Sequence, residues 1–392
     1  MKLIEKANRE RDDRASSRCR PGGEQQEGEK MATRCFAPMA LMLAMVTSPF
    51  VFVGAAHAGG QVVVSSWGGL FQTAERQGEF EPFEKATGIK VVEATMPYAS
   101  RIKVMEQSGN IEWDVAEVVP SDFYILERLG MLEKINYSYF NSATLSALEN
   151  GVALPYGVGT VTYGRVISWN TKCFPPGTPH PETMADVWNV KKFPGKRALD
   201  SGAYTFPPDE YALLAAGVPA DKLYPIDFKL VYKMLTQIRP YVVKWAQSSQ
   251  IVPEALADGE ACAGVASLGR IAQLKREGAP VDYTLNQDLL KRDYWVVPKD
   301  AKDAENAMRF IAFASEAKPL AYVSVSQLDG PPNRDAFKYI PATVAKELPT
   351  YAENEKTAIY INDKWWAEID PKTGKSYREA NVDLWSAWAT GG

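Results

Sequence analysis

The sequence predicts an α/β fold of two lobes joined by crossing strands, and three observations predict it. Short β-branched runs ending in Gly or Pro alternate with stretches of helical apolar spacing, the rhythm of an open sheet flanked by helices. A long extended stretch, residues 152–169, is suited to cross from one lobe to the other. The length of 392 residues, with 46% hydrophobic content, is enough for two cores.

Taken in order, residues 61–66 form a β-branched run that breaks at Trp67-Gly68-Gly69, a buried strand entering a loop. Residues 70–87 place Phe71, Ala74, Phe80 and Phe83 at helical spacing and stop at Gly88. A second strand over 89–94, a helix over 101–108 and a third strand over 114–119 follow, the last ending at Pro120-Ser121-Asp122. In open sheets ligands sit at the carboxyl ends of strands, and Trp67 and Ser121-Asp122 stand at two such ends. After the crossing stretch come a short helix over 184–188, a basic turn over 191–196 and a strand over 198–203. Helices are expected over 210–217, 228–238 and 251–257, and strands over 241–245 and 261–267. A strand over 294–297 follows a loop, and an amphipathic helix covers 304–315. The tail, with Trp365, Trp366, Trp385 and Trp388, reads as helical and packed across the outside of the lobes.

The N-terminal part reads differently. Residues 1–30 are charged and lack apolar periodicity, which suits a disordered extension or a mis-assigned start ahead of Met31. Residues 31–58 carry Arg34, an apolar run and Ala56-His57-Ala58, the pattern of a cleaved secretory signal peptide. Cleavage after Ala58 would leave 334 residues and, with nine basic and seven acidic residues removed, shift the formal net charge from −4 to −6. The mature chain is then expected in the periplasm, as a monomer. Two cysteines, Cys173 and Cys262, would remain; an oxidising compartment permits a bridge between them, and two separate buried thiols are the alternative. The acidic balance gives no basic stripe for nucleic acid. Beyond residue 58 the chain has one histidine, His180, and no nucleophile elbow, Walker loop or dinucleotide fingerprint, so nothing calls for an enzyme or a cofactor.

The run Phe80-Glu81-Pro82-Phe83-Glu84-Lys85-Ala86-Thr87-Gly88-Ile89-Lys90-Val91 resembles extracellular solute-binding proteins. The run from Trp188 through Lys191-Lys192-Phe193-Pro194-Gly195-Lys196-Arg197-Ala198-Leu199 resembles their polyamine-type branch, the spermidine/putrescine-binding proteins of ABC importers. Val119-Pro120-Ser121-Asp122, Asp258-Gly259-Glu260 and Tyr294-Trp295-Val296-Val297-Pro298-Lys299 extend the resemblance over residues 60–392. It implies a type II periplasmic binding protein fold, with residues 59–160 in the first lobe, 161–292 in the second, and 293–392 returning to the first with C-terminal helices. The implied partners are a small-molecule ligand and an inner-membrane ABC permease driven by a separate ATPase; no cofactor is implied.

Carried over position by position, the resemblance places Trp67 as a stacking wall and Ser121 as a ligand contact, with Asp122 either beside it or acting as a helix cap. In the second lobe it sets Thr205 at the place of an amine-binding acid, with Asp200 one small shift away and Tyr204 alongside. Ser267 and Arg270 replace an aromatic and an acid, and Asp293 matches a retained amine-binding acid, with Lys291 where an aromatic is expected. Trp245 is a further candidate at a strand end. An acid turned into Arg reverses the local preference from ammonium to carboxylate. Asp293 and Arg270 together therefore suit an ω-amino acid such as γ-aminobutyrate, or a small organic acid, better than spermidine. Arg270 pointing away into solvent is the plainer alternative. A sensory binding protein of the same fold and a secreted α/β enzyme complete the alternatives; an iron binder is disfavoured because the chain has no Tyr-Tyr pair.

Overall fold

The computed structural model describes residues 60–391. The extension over 1–30 and the signal segment over 31–58 lie outside the described residues. Ten strands form one sheet: β1 Gln61–Ser66, β2 Lys90–Thr95, β3 Val115–Val118, β4 Ala153–Leu154, β5 Gly157–Asn170, β6 Arg197–Asp200, β7 Val242–Ala246, β8 Ala263–Ser267, β9 Val281–Val296 and β10 Ile359–Tyr360. The order is β2-β1-β3-β9-β5-β8-β6-β7, with β10 added on β9 and β4 on β5. Pairing is parallel among β2, β1 and β3 and among β8, β6 and β7, and antiparallel wherever β5 or β9 meets those groups.

The two long antiparallel strands run through both halves of the sheet. On the β1–β3 side, Val62, Val64, Val115 and Trp295 face a core closed by Phe80, Phe83 and Phe310, while Ala116, Val118, Tyr294 and Val296 face Ile102, Phe123 and Leu126. On the other side, Ile167, Leu199, Val265 and Leu289 face Tyr211, Leu235, Trp366 and Trp385, while Val166, Ala198 and Ala266 face Val252 and Ile271. This alternation along each strand is the period-two signature of a sheet covered on both faces.

Three of the elements that differ from the sequence reading bear on the site or its surroundings. The helix expected over 70–87 is divided by a wider π turn, Arg76–Phe80, between Gly69–Glu75 and Glu81–Thr87, and this register buries Glu75, Glu79 and Phe80 together. The loop expected before Tyr294 is strand: β9 begins at Val281. Its polar run Asp282–Asp288 masks any period, and a register shift against β5, between Arg165 and Ile167, takes up the surplus, with Gln287 in the left-handed region at φ 56°. A further helix, Ala317–Gln327, carries Pro319 in its first turn, where a missing N–H costs nothing. Cys173 and Cys262 form a disulfide across 89 residues.

Candidate functional site

β1 ends at Ser66, and the chain turns through Trp67 with Gly68 and Gly69 at φ 75° and 58°, a conformation that suits residues without Cβ. This turn aims the Trp67 indole back over the crossing strands. Its Nε1–H donates to Asp293 Oδ2 at 3.0 Å, and the Tyr163 hydroxyl from β5 donates to Oδ1 at 2.8 Å. Asp293 is 5% exposed. Burial pushes its carboxyl well above the usual range and neighbouring Glu117 pushes it further, while the two donors pull the other way. An ammonium is the natural partner for such a group.

Beneath this point lies a set of acids that sequence reasoning missed. Glu117 of β3 accepts from Thr160 Oγ1 at 2.5 Å and lies 3.2 Å from Ser66 Oγ, which also bonds Glu75. Glu79 is buried beside Glu75. Burial raises all three carboxyls well above the ordinary range.

The second-lobe wall is built around Arg165 of β5. Its Nε donates to Asp200 Oδ2 at 3.0 Å, its Nη2 reaches the Tyr204 hydroxyl at 3.3 Å, and its guanidinium lies 4.5 Å from the Phe206 ring centre. Asp200 also accepts from Tyr211. The Asp200 charge is therefore already matched by Arg165. Thr205 takes part through its carbonyl, which accepts from Lys291 Nζ at 2.8 Å while Lys291 also pairs with Asp363 at 2.7 Å. Lys291 thus pins the 204–205 loop. Ser267 pairs with Arg165 in the sheet register and precedes the helix Leu268–Arg276. Arg270 stands exposed on the first turn of that helix and enters no ion pair among the described residues. Asp329, unforeseen from the sequence, joins these parts. Burial pushes its carboxyl up to about 8, Asp293 adds to that, and Arg165 and Arg270 oppose it, so all three charges are near it. Asp288, pressed against Gly164, is also pushed up to about 8 by burial and has no hydrogen-bond partner for either oxygen.

Two sequence expectations are displaced. Trp245 packs edge-on to Trp385 and Trp388, with ring centres 5.1 and 5.5 Å apart, on strand β7 at the end of the sheet farthest from β2. Its face is taken up by the tail. The Asp122 carboxylate accepts the Ala99 backbone N–H at 2.8 Å, at the start of the helix Ala99–Ser108. It thus secures a neighbouring helix and not its own. Ser121 is half-buried at the start of the helix Pro120–Arg128, and its hydroxyl is not drawn into the Asp293 group.

The family model for bacterial extracellular solute-binding proteins matches residues 80–356. The chain belongs to that family. A γ-aminobutyric acid-binding protein of Pseudomonas aeruginosa is 31% identical over 325 residues, covering 81% of this chain and 90% of that one. Among solved structures, an ABC transporter substrate-binding protein from Bradyrhizobium japonicum USDA 110 superposes with a TM-score of 0.76 at 30% identity, covering 84% of this chain and 99% of that one. The Atu4243 GABA receptor does so with 0.74 at 30%, covering 84% and 97%. The resemblance read from the sequence and the α/β fold with crossing strands both agree with these findings. As a member of that family, the chain belongs to a class of proteins that bind a solute. No helix among the described residues is long and apolar enough to cross a membrane.

Proposed function

We propose that this solute-binding protein captures an ω-amino acid such as γ-aminobutyrate between its lobes and presents it unchanged to an inner-membrane ABC permease. The observation that carries the reading is Asp293. It is a buried carboxyl fixed by Trp67 and Tyr163, and it shares the neighbour Asp329 with the unpaired Arg270. Asp293 takes the ammonium and the Trp67 face covers the methylene chain. Arg270, with Ser267 beside it, takes the carboxylate. Tyr204 and Thr205 shape the second-lobe wall. The name of the P. aeruginosa relative supports this ligand class. Closure is a swing about β5 and β9, driven by a ligand that touches both lobes at once. Export through a cleaved signal over residues 31–58 places the mature monomer in the periplasm, in keeping with an extracellular family.

The experiment is a thermal-shift and calorimetric panel on the mature protein with γ-aminobutyrate, putrescine and simple organic acids. A bound solute raises the melting temperature by mass action. Arg270→Ala weakens γ-aminobutyrate about 10- to 100-fold, the worth of a charge-assisted hydrogen bond of roughly 1.5–3 kcal/mol, and leaves putrescine within a few-fold. Equal loss for both ligands removes Arg270 from the carboxylate role. A diamine is the second reading, favoured by the surplus of buried acids near enough to raise one another, Asp293, Glu117, Asp329 and Asp288. Putrescine binding tighter than γ-aminobutyrate selects it.

A further inference from the structure

We propose that Glu75 and Glu117 share a proton beneath the amine position, and that an ammonium arriving at Asp293 drives this proton into solvent, so that solute capture and proton release are one event. The inference rests on the amine reading given above and goes beyond it by naming a second, hidden acid pair that answers the ligand's charge.

The geometry comes first. Ser66 Oγ bonds Glu75 Oε2 and stands 3.2 Å from Glu117 Oε2, yet a hydroxyl has one proton to give. It can donate to one carboxylate; the other contact is a hydrogen bond only if that carboxyl is protonated and donates to Ser66. The other Glu117 oxygen is already taken by Thr160. Both glutamates are buried, at 1% and 0% exposure. The groups facing the pair offer no compensating cation. From the π turn comes Glu79, whose Oε2 is buried without a partner. From β2 comes Glu93, already held by Arg76 at 2.5 Å and by Gln72 at 2.8 Å. From β9 comes Asp293, and the helix Ala317–Gln327 lies against the π turn through Tyr322, which is bonded to Gln77. Among the described residues no acid cluster is arranged to hold a metal ion. A proton is therefore the one positive charge at hand, and the raised carboxyls of both residues agree with it.

The coupling follows from charge. Glu117 of β3 stands opposite Trp295 in the β3–β9 register, two residues along β9 from Asp293, and it raises the Asp293 carboxyl. An ammonium bound at Asp293 stabilises ionised Glu117, and the proton leaves for bulk water. The reaction balances: ligand ammonium, ionised Asp293 and the singly protonated Glu75/Glu117 pair give an ammonium–Asp293 contact, an ionised pair and one proton in solution. Because the bound form holds fewer protons, affinity rises with pH across the interval in which the pair titrates.

Calorimetry of γ-aminobutyrate and of putrescine binding to the mature protein, in buffers of contrasting ionisation enthalpy, counts the protons. The expected result is release of up to about one proton per ligand, with affinity rising by up to about tenfold per pH unit. Infrared spectra of the free protein at neutral pH are expected to show a protonated-carboxyl band that Glu75→Gln and Glu117→Gln each diminish. Both substitutions diminish the release, the remainder coming from Asp293 itself, whose carboxyl is also raised; Glu117→Gln also weakens binding, whereas Glu75→Gln leaves Glu117 charged and binding less dependent on pH. Binding by the wild-type protein without proton release overturns this inference and leaves the amine reading standing, and this measurement needs no variant to fold. A band indifferent to both substitutions also overturns it. A protein that binds neither amine overturns both.

Discussion

Asp293 commits lone pairs to Trp67 and Tyr163, and a carboxylate so held has further lone pairs to offer. Asp293→Asn keeps the shape and removes the charge, so amine affinity is expected to fall by about 10- to 100-fold, corresponding to roughly 1.5–3 kcal/mol for a hydrogen bond to a charged group. Calorimetry checks this, and an unchanged affinity places the ammonium elsewhere. The pairing partners Trp67 and Asp293 were both singled out from the sequence, because a Trp at a strand end beside two glycines, and an acid at a matched motif position, leave local marks. Glu75, Glu79, Glu117, Arg165 and Asp329 were not, because a charged residue in a sequence reads as solvated until its burial is known. Glu75 and Glu79 are brought inside by the π turn, and no local pattern announces such a turn. Trp245 failed for the opposite reason: a strand-end Trp looks alike whether a ligand or a tail helix covers it.

The tail helix Tyr377–Ala389 begins with a capping box, Ser376 with Glu379, and brings Trp385 and Trp388 onto Trp245. Trp385→Ala is expected to cost about 3–5 kcal/mol of stability, as large-to-small changes in a core do. Ligand affinity in the folded fraction should stay unchanged; a selective loss of affinity in denaturation-corrected titrations returns these tryptophans to the site. The disulfide belongs to this scale too. It closes a loop of 89 residues, and Cys173→Ser with Cys262→Ser is expected to lower stability by roughly 2–4 kcal/mol in urea melts. Most strands and helices were legible to within a residue or two, because β-branched runs and capped amphipathic stretches carry their own period. Helix Phe228–Ile238 falls where the spacing puts it. The first half of β9 was not legible, because its polar residues are satisfied by distant partners. Gln287 accepts the Met184 N–H at 2.8 Å and Asn286 donates to the Glu182 carbonyl at 2.9 Å.

For the whole molecule, buried acids set how stability depends on pH. Asp288 and Asp329 are pushed up to about 8 and Asp209 to about 7, all chiefly by burial, against an ordinary 3.8. Between pH of about 4 and 8 the native state therefore keeps protons that the unfolded chain releases. This contribution is fully present at the acid end and is lost as pH rises through the folded values. Melting of the ligand-free protein is expected at a higher temperature at pH 5.5 than at pH 8, and the opposite order would show these acids to be ionised in the native state. The sheet order has one more consequence. β9 lies between β3 and β5, and the tail tryptophans close the core beyond β8. While a ribosome is still making the chain, the first sheet half lacks a central strand until Val296 has emerged, and the other half lacks its cover until Trp385 has. A polypeptide of this topology can close neither half of its sheet until those late segments have been made.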